Sequence, residues 1–240
     1  MADFRPTEAV FSGAVRRFWE IRTEQAERQG RTGARDHGNR SAVTGGRQMD
    51  GFTAVLQALL MRQGIPGGCI FSQRGVELPG FFRATKQWDL LVVRDGTLLA
   101  AIELKSQVGP SFGNNFNNRT EEAMGTAVDI WTAYRQGAFT PSAQPWLGYL
   151  LLLEDCPQSQ APVGVAEPHF PVFPEFKEAS YAKRYELFCQ KLVRERQYSS
   201  ACFLLSDSSR AQDAVNYTEP SPELSASQFV RGLLARIACD

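Results

Sequence analysis

Two acidic residues and one basic residue, set in apolar runs, have the composition of a phosphate-hydrolysing site. Asp89 begins one apolar run, and Glu103 and Lys105 lie one residue apart in the next. Because side chains alternate along a strand, we expect Glu103 and Lys105 to share one face while Ile102 and Leu104 enter the core. The sequence therefore predicts a surface that presents two acids and a base.

A tight turn at Asp95-Gly96 is predicted to bring these residues together. The Asp-Gly pair separates two apolar runs, which is a strong signal of a two-residue hairpin. In such a hairpin the start of the first strand faces the end of the second strand. We therefore expect Asp89 to lie near Glu103 and Lys105.

The predicted pair of carboxylates requires a compensating positive charge. Neighbouring carboxylates raise each other's pKa unless a cation lies between them. A divalent metal ion is the usual solution, and hard oxygen ligands favour Mg²⁺, which keeps several waters and binds phosphate oxygens. We expect Asp89 and Glu103 to hold Mg²⁺. Lys105 would position or deprotonate an attacking water and stabilise charge at the phosphorus.

A purely structural interpretation of the same residues stays open. Glu103 and Lys105 could form an ion pair on the exposed face of an edge strand, and Asp89 could cap a strand or pair with another charge. The run that contains Glu103 is very apolar for a solvated edge, however. This favours a carboxylate and an ammonium that open into a cleft.

Longer segments around these residues resemble a known enzyme family. Asp89 followed by Glu103-Leu104-Lys105 resembles the motif of PD-(D/E)xK nucleases, with Trp88 where that motif often has proline. The motif alone is short and unspecific. The segments TKQWDLLV, ELKSQVGPSFGNNFNNRTEEAMGTAVD and HFPVF together resemble the XhoI family of type II restriction endonucleases, over roughly residues 45 to 190.

The resemblance implies a fold, an activity and partners. The implied fold is α/β with the αβββαβ core of restriction-endonuclease-like proteins, a mixed sheet flanked by helices. Asp89, Glu103 and the Leu104 backbone carbonyl are the implied metal ligands, and Mg²⁺ is the implied cofactor. The implied activity is that of a type II site-specific deoxyribonuclease that cuts double-stranded DNA at CTCGAG after the first C and leaves 5′ overhangs. A homodimer and a DNA methyltransferase that acts on the same site are implied as well.

The same core also serves nucleases of DNA repair and recombination, which have little sequence specificity. Such a nuclease is the alternative function that the motif allows. A protein that only binds DNA would need a broken set of active-site residues, whereas Asp89, Glu103 and Lys105 are all present here.

Hydrophobic periodicity predicts the elements that must position the site. The predicted core elements are a helix over 50–63, strands near 69–73, over 87–94 and over 97–106, a helix over 119–136 and a strand over 147–154. The predicted flanking elements are helices over 7–29, 181–196 and 225–237, a strand over 201–205 and an extended proline-rich loop over 156–178. We expect Asp50 to be the N-cap of its helix, or alternatively a further metal ligand.

Polar residues beside the predicted active site have side chains suited to reading DNA. The segment 109–119 is predicted to be a loop, and asparagine and arginine can form paired hydrogen bonds with adenine and guanine in the major groove. Glycine and asparagine also form turns, and Asn118 is a candidate helix cap. The predicted DNA-binding residues are Lys86, Ser106, Gln107, Asn114, Asn115, Asn117, Asn118 and Arg119.

Composition limits the remaining possibilities. We expect one endonuclease domain with an N-terminal helix and basic loop (1–48), a catalytic core (49–155) and C-terminal loop and helices (156–240). The arginine-rich segment 29–48 is a candidate for ordering on DNA. Lys and Arg total 26, as do Asp and Glu, so positive charge for DNA would have to be local.

Cysteine and histidine usage argues against a zinc site. The five cysteines are widely spaced without a CxxC pattern, and there are two histidines. No apolar run is long enough to span a membrane, so we expect a cytoplasmic protein without a membrane partner.

Overall fold

The computed structural model describes residues 6–32 and 47–238, and its central feature is a mixed sheet with helices on both faces. The helices are α1 (Pro6–Thr32), α2 (Asp50–Arg62), α3 (Phe112–Arg135), α4 (Pro157–Gln160), α5 (Tyr181–Arg194) and α6 (Ala226–Ala238). The strands are β1 (Ile70–Phe71), β2 (Glu77–Pro79), β3 (Thr85–Gln87), β4 (Leu90–Arg94), β5 (Thr97–Gln107), β6 (Trp146–Glu154) and β7 (Ser200–Ser206).

The central sheet has five strands in the order β1-β4-β5-β6-β7. Strands β1, β4 and β5 are antiparallel neighbours, whereas β5, β6 and β7 run parallel. Along the chain, α2, β1, β4, β5, α3 and β6 follow one another in the order αβββαβ. The predicted core is therefore confirmed. Strand β6 is buried along almost its whole length, as expected of a parallel strand covered on both faces.

Two hydrophobic clusters cover the two faces of the sheet. Ile102 and Leu104 of β5 belong to the cluster that is closed by residues of α1, α2 and α6. Ala101 belongs to the other cluster, which is closed by residues of α3 and α5. This alternation follows from the opposite directions of successive strand side chains. It directs Glu103 and Lys105 to the α3 and α5 face.

The Asp95-Gly96 turn connects β4 to β5, as the sequence predicts. Asp95 has a φ of 50° and Gly96 a φ of 76°, and a type I′ hairpin turn requires positive values at both central residues. Arg94 pairs with Thr97 directly beside the turn. The predicted catalytic hairpin is confirmed as a structural element.

A second, smaller hairpin is inserted between β1 and β4, where the sequence predicts only the start of the strand over 87–94. Its strands β2 and β3 form a separate two-stranded sheet in which Leu78 pairs with Lys86. Leu78 and Trp88 pack into the cluster on the α3 and α5 face. The inserted hairpin therefore lies on the same side of the sheet as Glu103.

Helix α3 begins earlier than the sequence predicts, at Phe112 and not near residue 119. The ring of Phe112 stacks on Tyr181, and Phe116 makes an edge contact with Tyr185. These contacts with α5 hold the asparagine-rich segment in helical form. The predicted loop over 109–119 is therefore wrong from Phe112 onward, and Asn118 lies inside the helix and does not cap it.

Other boundaries differ by smaller amounts. Helix α1 extends to Thr32, so the backbone at the start of the predicted basic loop is helical. The predicted extended segment over 156–178 contains one turn of α-helix, α4, with Pro157 at its first position, and a 3-10 turn at Pro174–Phe176. Most of the arginine-rich loop, including Arg35 and Arg40, lies outside the described residues. No described helix combines the length and hydropathy needed to span a membrane.

Candidate active site

A β-bulge places the predicted active-site residues on one face of the sheet. The pairing of β4 with β5 shifts by one residue after Val92, so that Leu90 lies opposite Ile102. Continued by one residue, this register sets Asp89 opposite Glu103. Without the shift, Asp89 would lie opposite Ile102 and would point to the other face of the sheet.

Asp89, Glu103 and Lys105 form one cluster at this end of the hairpin. Lys105 Nζ lies 3.8 Å from Asp89 Oδ2 and 3.7 Å from Glu103 Oε1. The Leu104 backbone N–H donates a hydrogen bond of 2.8 Å to Asp89 Oδ2, which orients that carboxylate. The Asp89 side chain is 37% exposed and the Glu103 side chain 2% exposed. The cluster therefore opens to solvent on the Asp89 side.

Lys86 of the inserted hairpin contacts the buried carboxylate. Its ammonium forms an ion pair with Glu103 Oε1 and lies 5.0 Å from the centroid of the Trp88 ring. The Lys86 side chain is 15% exposed, so little water reaches the pair. Breaking such a pair is costly because it leaves a buried charge without a partner.

A tyrosine contacts Glu103 from the opposite side. The Tyr198 hydroxyl lies 3.3 Å from Glu103 Oε2 and 3.3 Å from the Ala123 carbonyl oxygen. A hydroxyl has one proton, so it donates to one of these acceptors at a time. Tyr198 is 1% exposed, and it connects the carboxylate to helix α3.

The two carboxyl groups have pKa values shifted in opposite directions. Burial raises the pKa of Asp89 above its ordinary value, and the Lys105 charge offsets this only in part. Burial alone would also raise the pKa of Glu103, but the charges of Lys105 and Lys86 and the hydrogen bonds from Lys86 and Tyr198 outweigh burial and lower it. Glu103 is therefore held as a carboxylate.

The donor set fits a hard cation that keeps water ligands. Within residues 6–32 and 47–238, no group of three or more His, Cys, Asp and Glu residues is arranged to hold a metal ion. Asp89 and Glu103 supply carboxylate oxygens. In a strand the N–H and C=O of one residue point to the same edge, so the Leu104 carbonyl lies on the Asp89 side. Mg²⁺ suits this set, because it is commonly held by one or two carboxylates together with water and phosphate.

Asp50 lies elsewhere in the structure. It is the first residue of α2, and Met49 is the N-cap, so the predicted capping role is wrong. Burial raises the pKa of the Asp50 carboxyl, and the charges of Arg47 and Arg17 lower it. Helix α2 packs on the face of the sheet opposite to Glu103, so the structure does not bring Asp50 into the cluster of Asp89, Glu103 and Lys105.

The predicted asparagine-rich reading segment forms the first turns of α3. The three asparagines with exposed side chains are Asn114, Asn117 and Asn118. Asn115 is half-buried. Arg119 is also half-buried, and its guanidinium pairs with Glu122 over 2.8 Å. These residues thus present polar groups from a rigid helix and not from an adaptable loop.

Ser106 and Gln107 end strand β5 beyond Lys105. Gln107 is 3% exposed, and its side-chain amide donates to the Val108 carbonyl oxygen over 2.8 Å. Ser106 is half-buried and points to the face opposite Lys105, because successive side chains alternate. Ser106 therefore points away from the face that carries Glu103 and Lys105, whereas Gln107 lies on that face with its amide bonded to Val108.

Sequence reasoning did not predict that Tyr198 and Lys86 contact Glu103, although it named Lys86 as a DNA-binding residue. Tyr198 lies 95 residues after Glu103 along the chain, and no local pattern connects the two. Lys86 was detectable in part. It alternates with Trp88, which is buried, so both side chains of β3 and its extension point inward.

The fold and this cluster define the class of protein. A mixed sheet whose hairpin presents Asp89 and Glu103-Leu104-Lys105 at one end has the architecture of a restriction-endonuclease-like nuclease. The model of the family described as restriction endonuclease XhoI matches residues 28–218. The chain belongs to the XhoI family of restriction endonucleases.

Named relatives agree with this assignment. The chain is 57% identical over 211 residues to the type II restriction enzyme BstVI of Geobacillus stearothermophilus. This match covers 86% of this chain and 94% of that protein. It is 49% identical over 181 residues to the type II restriction enzyme XhoI of Xanthomonas vasicola. This match covers 75% of this chain and 72% of that protein. No solved structure matches this chain. The chain is thus a type II restriction enzyme, a hydrolase of double-stranded DNA.

Proposed function

We propose that this enzyme cuts CTCGAG after the first C in a Mg²⁺-dependent reaction and leaves 5′ overhangs. The target follows from the segments that resemble the XhoI family and from the identity of 49% with a relative that bears that name. The observation that supports the catalytic part is the position of Lys105 Nζ, within 3.8 Å of both Asp89 and Glu103.

Asp89, Glu103 and the Leu104 carbonyl would hold the metal ion. When bound, Mg²⁺ supplies a Lewis acid that lowers the pKa of a water ligand and neutralises charge on the phosphate. Glu103 Oε1 is in contact with Lys86 in the free protein. Metal binding would therefore weaken this contact and release the Lys86 ammonium toward a phosphate of the DNA backbone.

Lys105 is the residue that we assign to the attacking water. Its ammonium lies between the two carboxylates, on the exposed side of the cluster. As the water oxygen bonds to phosphorus, it releases a proton to the surrounding water. The bond from phosphorus to the leaving oxygen breaks, and the leaving oxygen takes up a proton from the surrounding water. A positive charge held at this position stabilises the negative charge that develops on the phosphoryl oxygens.

The exposed face of the first turns of α3 is the surface that we assign to base reading. Asn114, Asn117 and Asn118 present amides that can bond adenine through two hydrogen bonds. Asn115 and Arg119 are half-buried and would support this face or contact backbone phosphates. Ser106 stays a candidate for a phosphate contact. Gln107 is less suited to DNA, because its amide already bonds to Val108.

We further propose that the enzyme acts as a homodimer. A palindromic target is matched by a two-fold symmetric protein, with each subunit acting on one strand. A DNA methyltransferase that modifies the same site would protect the host DNA without needing to bind the endonuclease. One domain carries these functions in our interpretation, since both hydrophobic clusters share the central sheet.

The test is digestion of a plasmid that contains a single CTCGAG, with Mg²⁺ or with EDTA. We expect one double-strand cut by the wild type in Mg²⁺ and none in EDTA or by Asp89→Asn. Asp213→Asn is the matched control, because Asp213 is an exposed partner of Arg210. This variant should cut the plasmid like the wild type. Scattered nicking would favour the repair or recombination nuclease, and a metal-independent or Asp89-independent cut would contradict the proposed mechanism.

A further inference from the structure

The tip of the inserted hairpin carries two exposed aromatic side chains. Phe81 and Phe82, between β2 and β3, are 51% and 68% exposed. Their ring centroids lie 5.0 Å apart in a T-shaped arrangement. Single exposed apolar residues are common on protein surfaces, but two adjacent phenylalanines at a hairpin tip form a projecting apolar edge.

A buried aspartate on α3 holds this tip in one conformation. Asp129 is 2% exposed, and its Oδ1 accepts hydrogen bonds of 2.8 Å from the backbone N–H groups of both Phe81 and Phe82. Its Oδ2 lies 2.8 Å from Arg83 Nε. A Cβ on Gly80 would lie 2.6 Å from Asp129 Oδ2, so only glycine allows this approach. Burying a carboxylate is costly, and here it serves to fix two rings that remain in solvent.

The same hairpin is directly joined to the active site. Strand β3 begins three residues after Phe82, and its Lys86 forms the ion pair with Glu103. Four residues span at most about 14 Å, which corresponds to about four base pairs along a duplex. The rings are therefore held within reach of the DNA that occupies the active site.

DNA is the partner that suits these rings. Apolar wedges of phenylalanine open base steps and kink the duplex, and an aromatic ring stacks on any base. A rigid tip places a ring without losing conformational freedom on binding. Arg83 follows the rings directly, and its side chain is 45% exposed although its Nε pairs with Asp129, so the guanidinium is accessible to a backbone phosphate.

We propose that Phe81 and Phe82 form an aromatic wedge that stacks on an opened base step of the substrate, within about four base pairs of the cleaved bond. This inference rests on the proposed function, because it requires DNA at the Asp89, Glu103 and Lys105 cluster. It adds a contact by which the enzyme deforms its substrate and can discriminate between base steps that differ in flexibility.

The experiment uses a short duplex with a donor and an acceptor dye at its ends, built around the site that the wild-type protein cuts. All proteins carry Lys105→Met, which is expected to slow cleavage strongly, so the dye distance in Mg²⁺ can be read before the duplex is cut. We expect the parent protein to shorten the distance between the dyes. Combined Phe81→Ala and Phe82→Ala substitutions should abolish the shortening and weaken binding by roughly 5- to 150-fold, the range for loss of base–aromatic stacking.

Two matched variants separate stacking from general effects. Phe82→Tyr keeps an aromatic ring and should retain the kink. Phe170→Ala removes a ring that is 84% exposed in the proline-rich segment and should leave the kink unchanged. Thermal unfolding of each variant checks the fold, and little change is expected because the substituted rings are exposed.

Three other results would overturn the wedge. If the double alanine variant binds the duplex with the same affinity as the parent protein and gives the same dye distance, the wedge is refuted and the proposed function stays intact. A changed sedimentation coefficient of the free double variant with an unchanged kink would assign the rings to contact between two copies of the chain. Absence of any DNA cutting by the wild type would refute the proposed function, and the wedge with it.

Discussion

Lys86 and Glu103 form an ion pair that joins the inserted hairpin to the catalytic hairpin. The two side chains are 15% and 2% exposed, and the contact is made at the oxygen that also lies nearest to Lys105. In the free enzyme a lysine thus occupies the position beside Glu103 where a cation is needed. Metal ion and Lys86 are expected to compete for this carboxylate.

Replacement of Lys86 should make stability depend more strongly on Mg²⁺. Lys86→Met removes one of the two positive charges that compensate the buried Glu103 carboxylate. We expect a loss of about 2–4 kcal/mol in the free energy of unfolding in EDTA. Because Mg²⁺ no longer has to displace an ammonium, its addition should stabilise the variant more than the wild type. Urea unfolding with and without Mg²⁺ measures both effects.

Lys177→Met is the control for that measurement. Lys177 pairs with Glu167 at a distance of 3.1 Å, but its side chain is 50% exposed. The loss of a solvated pair should change stability little and should not alter the response to Mg²⁺. An equal response to Mg²⁺ in all three proteins would show that Lys86 does not compete with the metal.

Loss of Lys105 should reduce the chemical step and spare DNA binding. Lys105→Met keeps much of the side-chain volume but removes the charge beside the attacking water. We expect the single-turnover cleavage rate to fall by about 10²- to 10⁴-fold, with the dissociation constant for DNA nearly unchanged. Lys183→Met removes an exposed lysine that pairs with Glu186 and should cut at the wild-type rate. If Lys105→Met cuts DNA at the wild-type rate, Lys105 is excluded from the mechanism.

The acid sensitivity of the fold should depend on Glu103. The pKa of Glu103 is lowered below its ordinary value of 4.5, so its ionised form stabilises the folded state. That stabilisation is fully present above the ordinary pKa and is lost as the pH falls through the lower, folded-state value. In EDTA, the wild type should therefore be more stable than Glu103→Gln at neutral pH, and the difference should shrink below pH 4.5. A difference that stays constant down to the acid transition would contradict this assignment.

Single asparagine substitutions should identify the base contacts on α3. We expect alanine at Asn114, Asn117 or Asn118 to cost about 1–3 kcal/mol in binding and to relax recognition at one base pair, if that residue reads a base. Cleavage of duplexes that differ from the target at single positions measures the change. Glu121→Ala is the control, because Glu121 is exposed on the same helix and offers no donor to DNA. If the alanine variant loses the same amount of binding to every duplex sequence, the asparagine contacts a backbone phosphate and not a base.

Local patterns determined the catalytic hairpin. The Asp95-Gly96 pair allows the positive φ values of a type I′ turn, and strand alternation sends Glu103 and Lys105 to one face. These rules depend only on near neighbours, so they can be read without knowledge of the fold. The order of core elements followed in the same way from hydrophobic periodicity.

Contacts between distant segments explain where prediction failed. Residues 112–118 have the composition of a loop, yet Phe112 and Phe116 pack on Tyr181 and Tyr185 of α5, and this burial keeps the segment helical. The burial of Gln107, which is 3% exposed and bonds to Val108, was also not predicted, and DNA binding by this residue stays a prediction. Propensity and side-chain chemistry do not report burial, which depends on segments far apart in the chain.

The sequence by itself determined the family, the αβββαβ core and the three residues that could carry the chemistry. Tertiary structure decided their arrangement. The one-residue shift after Val92 sets Asp89 on the face of Glu103, and Lys86 and Tyr198 reach Glu103 from other elements. Turn and strand preferences act between neighbours, whereas a bulge and the partners of a buried carboxylate are selected by packing of the whole chain.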